Sequence, residues 1–197
     1  VVEVWARRRD NDYRTIRIRK GVSNMSNEIQ LQFEKVTDAD VPRMTEVMKR
    51  AFDEDARRHL GEDSGGPPGY DNGDFIRKWY LGHGAKAFKV ISNGEIIGGI
   101  NVFIGKNREN FLGNMFVDPA YQDRGFGTRI WRFIEEQFPD TVKWRTETPG
   151  FSKRNHNFYV NKCGFHVVRI DDPKNPREES YILEKDMSRI FVKEGSR

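Results

Sequence analysis

The feature that most restricts how this chain can fold is a junction near its middle. Residues 109–117 alternate as a strand, and Asp118-Pro119 stops them. A polar run, Gln122-Asp123-Arg124-Gly125-Phe126-Gly127-Thr128, then leads into a segment whose apolar residues Ile130, Phe133, Ile134 and Phe138 fall on one helical face. A strand handing over directly to an amphipathic helix calls for a sheet with helices packed on it, an α/β domain. The handover also carries chemistry. Two glycines spaced by one residue at a helix N-terminus leave backbone N–H groups open to an anion. A side chain at either glycine would hinder the approach of a phosphate. The third glycine of a dinucleotide-binding turn is missing, and no Gly-Lys-Ser/Thr of a P-loop follows. Taken alone, the run is also what an ordinary glycine-bearing turn looks like.

The flanking sequence extends the pattern. Residues 31–36 alternate as a strand, and Thr37 or Asp38 caps a helix with Pro42 in its first turn. Met44, Val47, Met48, Ala51 and Phe52 give that helix an apolar face. Residues 53–72 are polar and rich in Gly and Pro, which predicts an ordered loop before a second helix over 74–81. Asn93-Gly94 is a two-residue hairpin signal between strands 85–92 and 95–104, and Gly98-Gly99 points to a bulge or a close backbone approach. After the central helix, 125–138, come a strand over 141–148, a helix over 152–163 ended by Gly164, and strands at 165–170 and 181–184. The predicted order is β-α-α-β-β-β-α-β-α-β-β on a mixed sheet.

The totals close off other classes. No run approaches the roughly 20 apolar residues of a membrane span, and no secretory signal pattern is visible. Cys163 is the single cysteine, and His59, His83, His156 and His166 lack metal-ligand spacing, so neither a disulfide framework nor a metal is expected. These features fit a reduced, cytoplasmic setting without a membrane partner. The formal charge of +4 is local: residues 1–24 hold seven Lys/Arg against three acids, and the remaining bases and acids balance. Lys20-Gly21-Val22 can be encoded as a ribosome-binding sequence ahead of Met25. Residues 1–24 are therefore read as a non-native or disordered basic leader, and 25–197 as one domain with its core at about 31–186. No nucleic-acid partner is expected of that core.

Gln122, Arg124, Gly125 and Gly127, after a strand ending Val117-Asp118-Pro119, resemble the acyl-CoA-binding motif of the GNAT superfamily of N-acetyltransferases. Asn155-His156-Asn157-Phe158-Tyr159 with Gly164-Phe165 resembles that family's second motif, and the element order resembles its fold. The resemblance implies a mainly antiparallel mixed sheet flanked by helices. It also implies acetyl-CoA as cosubstrate and transfer of its acetyl group to a primary amine by direct attack in a ternary complex. It assigns Phe116 and Val117 to the pantetheine arm and Gln122, Asp123, Arg124, Gly125, Phe126, Gly127 and Thr128 to the pyrophosphate. Asn155 and Asn157 fall to the coenzyme as well, and Tyr159 to the general acid. Four residues separate Tyr159 from Gly164 where the family has three, so the helix must absorb one.

The base is less defined. The family's strand glutamate falls on Phe111, which leaves Glu147, or the acids Asp53, Glu54 and Asp55, as substitutes. An acidic rim of Asp53 and Glu54 with Tyr70 and Trp79 would suit a cationic small-molecule acceptor. The competing function is a non-catalytic acyl-CoA-binding sensor or partner module. Strand edges left open by such a sheet are where a homodimer would form.

Overall fold

The structure is a computed structural model and describes residues 30–188. The reading of 1–24 as a leader lies outside the described residues. Seven strands form one sheet in the order β1-β2-β3-β4-β5-β7-β6. They are β1 (Leu31–Lys35), β2 (Lys86–Ser92), β3 (Glu95–Phe103), β4 (Glu109–Val117), β5 (Lys143–Pro149), β6 (His166–Asp171) and β7 (Ser180–Asp186). Every neighbouring pair is antiparallel except β4 with β5. The helices are α1 (Val41–Leu60), α2 (Asp74–Ile76, continued by a π turn Arg77–Leu81), α3 (Phe126–Gln137) and α4 (Lys153–Asn157, continued by a π turn Phe158–Lys162).

The local reasons are those legible in the chain. Asn93 and Gly94 both take positive φ, 51° and 81°, as a primed hairpin turn demands. At Gly98 a Cβ would stand 2.4 Å from the Phe116 carbonyl oxygen, so β3 and β4 can approach there only because the residue has no side chain. Two apolar clusters flank the sheet. One packs Ile130, Trp131 and Ile134 of α3 against Val90, Ile100, Leu112, Trp144 and Leu183. The other packs Met44, Val47 and Met48 of α1 with Tyr70, Ile76, Tyr80 and Phe116.

One expectation needs correcting. Residues 53–60 are not loop: α1 continues through them to Leu60 and ends on Gly61 at φ 71°. The polar residues there are held by partners remote in sequence. Asp53 accepts from the Tyr70 hydroxyl at 2.8 Å and from the Gly65 N–H at 3.4 Å, and Asp55 accepts from the Ser152 hydroxyl at 3.1 Å. The loop proper is 61–73.

Candidate active site

β4 and β5 stay paired for three residues only, Glu109–Lys143, Asn110–Trp144 and Phe111–Arg145, and then part. β5 continues with β7 as far as Pro149. Among the described residues, the second half of β4 thus has no strand partner on its β5 side. Asn114 lies opposite Asn101 but Leu112 opposite Val102, so Gly113 is the extra residue of a bulge. The bulge resets the alternation. Leu112 belongs to the α3 side, while Phe116 packs with α1 and Asn114 accepts from the Tyr80 hydroxyl at 2.8 Å.

A cleft of about 450 Å³ opens where the strands part. Met115, Phe116 and Val117 form one wall. The turn into α3 forms the second, with Gln122, Asp123, Gly125, Phe126, Gly127 and Thr128. α4 supplies Arg154, Asn155, Asn157, Phe158 and Lys162, and α1 supplies Ala51, Phe52 and Asp55.

The turn is built to face an anion. Asp123 and Gly125 both have positive φ, 59° and 75°, and a Cβ on Gly125 would meet no atom of the described protein within 4 Å. Phe126, Gly127 and Thr128 open α3, where N–H groups lack intrahelical acceptors. Gln122 fixes the turn from both ends: its Nε2 donates to the Val117 carbonyl at 2.8 Å and its Oε1 accepts from Arg154. Gly127 serves packing as well, since a Cβ there would lie 2.9 Å from Phe158 Cε2. These residues suit the diphosphate of a coenzyme A thioester. Arg124, assigned to the same role by sequence, is exposed and does not line the cleft. The cations that do are Arg154 and Lys162, which motif matching missed. Their position on α4 opposite the turn depends on the fold.

Tyr159 is 8% exposed and lies in the core beside Phe158 and Phe165. It does not line the cleft, although its neighbour Phe158 does. Its hydroxyl is hydrogen-bonded with Thr146, which in turn donates to the Leu112 carbonyl at 3.0 Å. Leu112 and Thr146 directly follow the last paired residues of β4 and β5, so the phenol sits at the apex of the gap. Burial, reinforced by the Cys163 thiol and opposed by the Thr146 bond, pushes the phenol well above its ordinary value. It therefore keeps its proton at neutral pH. The extra residue before Gly164 is taken up by the π turn: the Cys163 N–H reaches the Phe158 carbonyl at 3.1 Å, five residues back.

The other sequence-derived residues scatter. Glu147 is exposed on β5, while Thr146 and Thr148 on either side are buried, so it faces away from α3. Phe111 is 39% exposed at the parting point. Asp53 and Tyr70 are spent on each other, and Glu54 pairs with Arg57 and Arg58. Trp79 lies in a separate groove with Pro67, Pro68 and Phe75. None of these four acceptor candidates lines the cleft, whereas Asp55 does. Among the described residues no group of three or more His, Cys, Asp or Glu could hold a metal, and no helix is long and apolar enough to cross a membrane.

The family model described as "Acetyltransferase (GNAT) family" matches residues 46–165. An uncharacterized Bacillus subtilis (strain 168) protein, YrkN, is 37% identical over 145 residues, covering 73% of this chain and 77% of that protein. The fold is shared with the PaiA N-acetyltransferase of Thermoplasma acidophilum in complex with coenzyme A (TM-score 0.62, 16% identity, 80% of this chain and 99% of that one). It is shared also with the ribosomal-protein-S18-alanine N-acetyltransferase of Escherichia coli (TM-score 0.61, 17% identity, 81% and 95%).

Proposed function

Because the chain belongs to the GNAT family of acetyltransferases, we propose that it transfers the acetyl group of acetyl-CoA to a primary amine of a small molecule, by direct attack in a ternary complex. The observation that carries this reading is the meeting, in one cleft, of an anion-facing turn and the open edge of β4. Acetyl-CoA supplies the activated acyl group as a thioester. The turn from Gln122 to Thr128 holds the diphosphate through backbone N–H groups, with Arg154 and Lys162 adding positive charge. Phe116 and Val117 offer main-chain groups to the pantetheine arm, as an added strand would find them. Asn155 and Asn157, on the α4 wall, contact the coenzyme further out.

Tyr159 is the proposed general acid. A neutral phenol at the apex of the gap can give its proton to the departing sulfur as the C–S bond breaks. Glu147, exposed on the face away from α3, is the proposed acceptor of the proton that the amine sheds. A small-molecule acceptor is proposed over a long peptide.

The test is thiol release from acetyl-CoA over a panel of polyamines, aminoglycosides, amino acids and short peptides, with Tyr159→Phe alongside. The expected outcome is turnover with one acceptor class. The variant should lose about 10²- to 10⁴-fold in kcat while binding acetyl-CoA as tightly as the parent. Coenzyme binding without turnover on any acceptor would replace this reading with that of an acyl-CoA-binding module.

A further inference from the structure

Asp53, Glu54 and Asp55 follow one another on α1, yet their surroundings separate them sharply. The Asp53 carboxylate is enclosed by Tyr70, Gly65 and Lys49. Glu54 holds two arginines on the outer face of the helix. Asp55 lines the cleft with Ala51, one turn before it, and Phe52. Only one of its oxygens is engaged. Oδ1 accepts from the Ser152 hydroxyl at 3.1 Å and lies 3.5 Å from His59 Nε2. Among the described residues no hydrogen bond or ion pair reaches Oδ2.

The carboxylate is also held in place. Ser152 is fully buried at the start of α4, so its hydroxyl is a fixed donor. The His59 Nε2 atom is buried and has no hydrogen-bond partner among the described residues, and it backs the carboxylate from one helical turn away. A carboxylate gripped through one oxygen, with the other unengaged among the described residues, on a residue lining a cleft that an aromatic ring borders, can receive a cationic nitrogen.

Building on the acetyl-transfer reading, we propose that Asp55 is the acceptor-recognition residue and that the acceptor is a cationic amine whose ammonium is taken by Asp55 against Phe52. Ser152 and His59 are positioning residues that aim the carboxylate. The face is appropriate. Asp55 stands where α1 meets the start of α4, and it lines the same cleft as Met115, Phe116 and Val117 of β4, so an acceptor held there reaches the open strand edge. Asp55 also accounts for selectivity, because a neutral acceptor would leave its free oxygen unpaired.

The experiment measures binding apart from turnover. Spermidine and a neutral aryl amine are titrated calorimetrically into the full chain loaded with coenzyme A, for the parent, Asp55→Asn and Glu54→Gln. Asp55→Asn keeps the shape and can still accept from Ser152. It should weaken spermidine binding about ten- to hundredfold and leave coenzyme A and the aryl amine unchanged, while Glu54→Gln changes nothing. Ser152→Ala should raise KM for the cationic acceptor with little change in kcat, as expected of a residue that only aims the carboxylate. Equal spermidine affinity in the parent and Asp55→Asn, or no saturable spermidine binding to the parent, overturns the assignment even if neutral acceptors turn over. Failure of the parent to bind coenzyme A at all would instead remove the acetyl-transfer reading beneath it.

Discussion

Replacing Tyr70 by Phe removes one oxygen atom and tests how the 61–73 loop is held. The Tyr70 hydroxyl donates to Asp53 Oδ1 at 2.8 Å, and both residues are buried. The other neutral donor to that oxygen, the Gly65 N–H, is long at 3.4 Å. The variant leaves a buried carboxylate short of its best uncharged donor, while the ring and its edge contact with Phe52 remain. A hydrogen bond to a charged group contributes about 1.5–3 kcal/mol. For a domain of this size that corresponds to a fall in Tm of about 3–12 °C at pH 7.

The pH dependence sharpens the prediction. Burial pulls the Asp53 carboxyl upward, but the bonds from Lys49, Tyr70 and Gly65 outweigh it and hold the group below its ordinary value of 3.8. A carboxylate lowered in the folded state stabilises the protein above its unfolded value, and that contribution is lost as pH falls through the folded value. The penalty of Tyr70→Phe should therefore be largest at neutral pH and should shrink toward the roughly 1 kcal/mol of a neutral pair as pH falls through the folded value, which lies below 3.8. Urea unfolding of parent and variant at pH 7 and at the lowest pH where both stay folded measures both numbers. A penalty that is absent, or equal at the two pH values, would refute the claim that an ionised Asp53 anchors the loop.

Gly127→Ala drives a Cβ to 2.9 Å from the Phe158 ring. Overpacking of about 1–3 kcal/mol, less about 1 kcal/mol of helix propensity gained, leaves a net loss of about 0–2 kcal/mol. Calorimetry should also find weaker acetyl-CoA binding, because the shifted ring lines the cleft. At alkaline pH, burial raises the Cys163 thiol to about 12, with Lys185 opposing and Glu135 adding, and it raises Tyr159 and Tyr80 as well. Groups raised on folding stabilise below their unfolded values and lose that contribution as pH rises through the folded ones. Stability should fall from about pH 9 upward, and Cys163→Ala should flatten the first part of that slope.

The strand and helix order was legible because each element declares itself locally. Asn93-Gly94 requires positive φ at both positions, Asp118-Pro119 must end a strand, and 126–137 shows its apolar face in its spacing. The turn into α3 was legible for the same reason: Gly125 takes a positive φ, and Gln122 bonds back to Val117 only five residues away. What local signals could not carry was every contact between distant segments. Residues 53–60 read as loop because the partners of their polar side chains, Tyr70 and Ser152, are 17 and 97 positions away. Arg154 and Lys162 carry no motif of their own, and they face the turn only because α4 packs against α3 through Gly127 and Phe158. Asp53, Glu54 and Asp55 are three adjacent acids of similar chemistry. Helix rotation alone gave the first a buried tyrosine, the second two arginines and the third the cleft, since successive residues on a helix point about 100° apart.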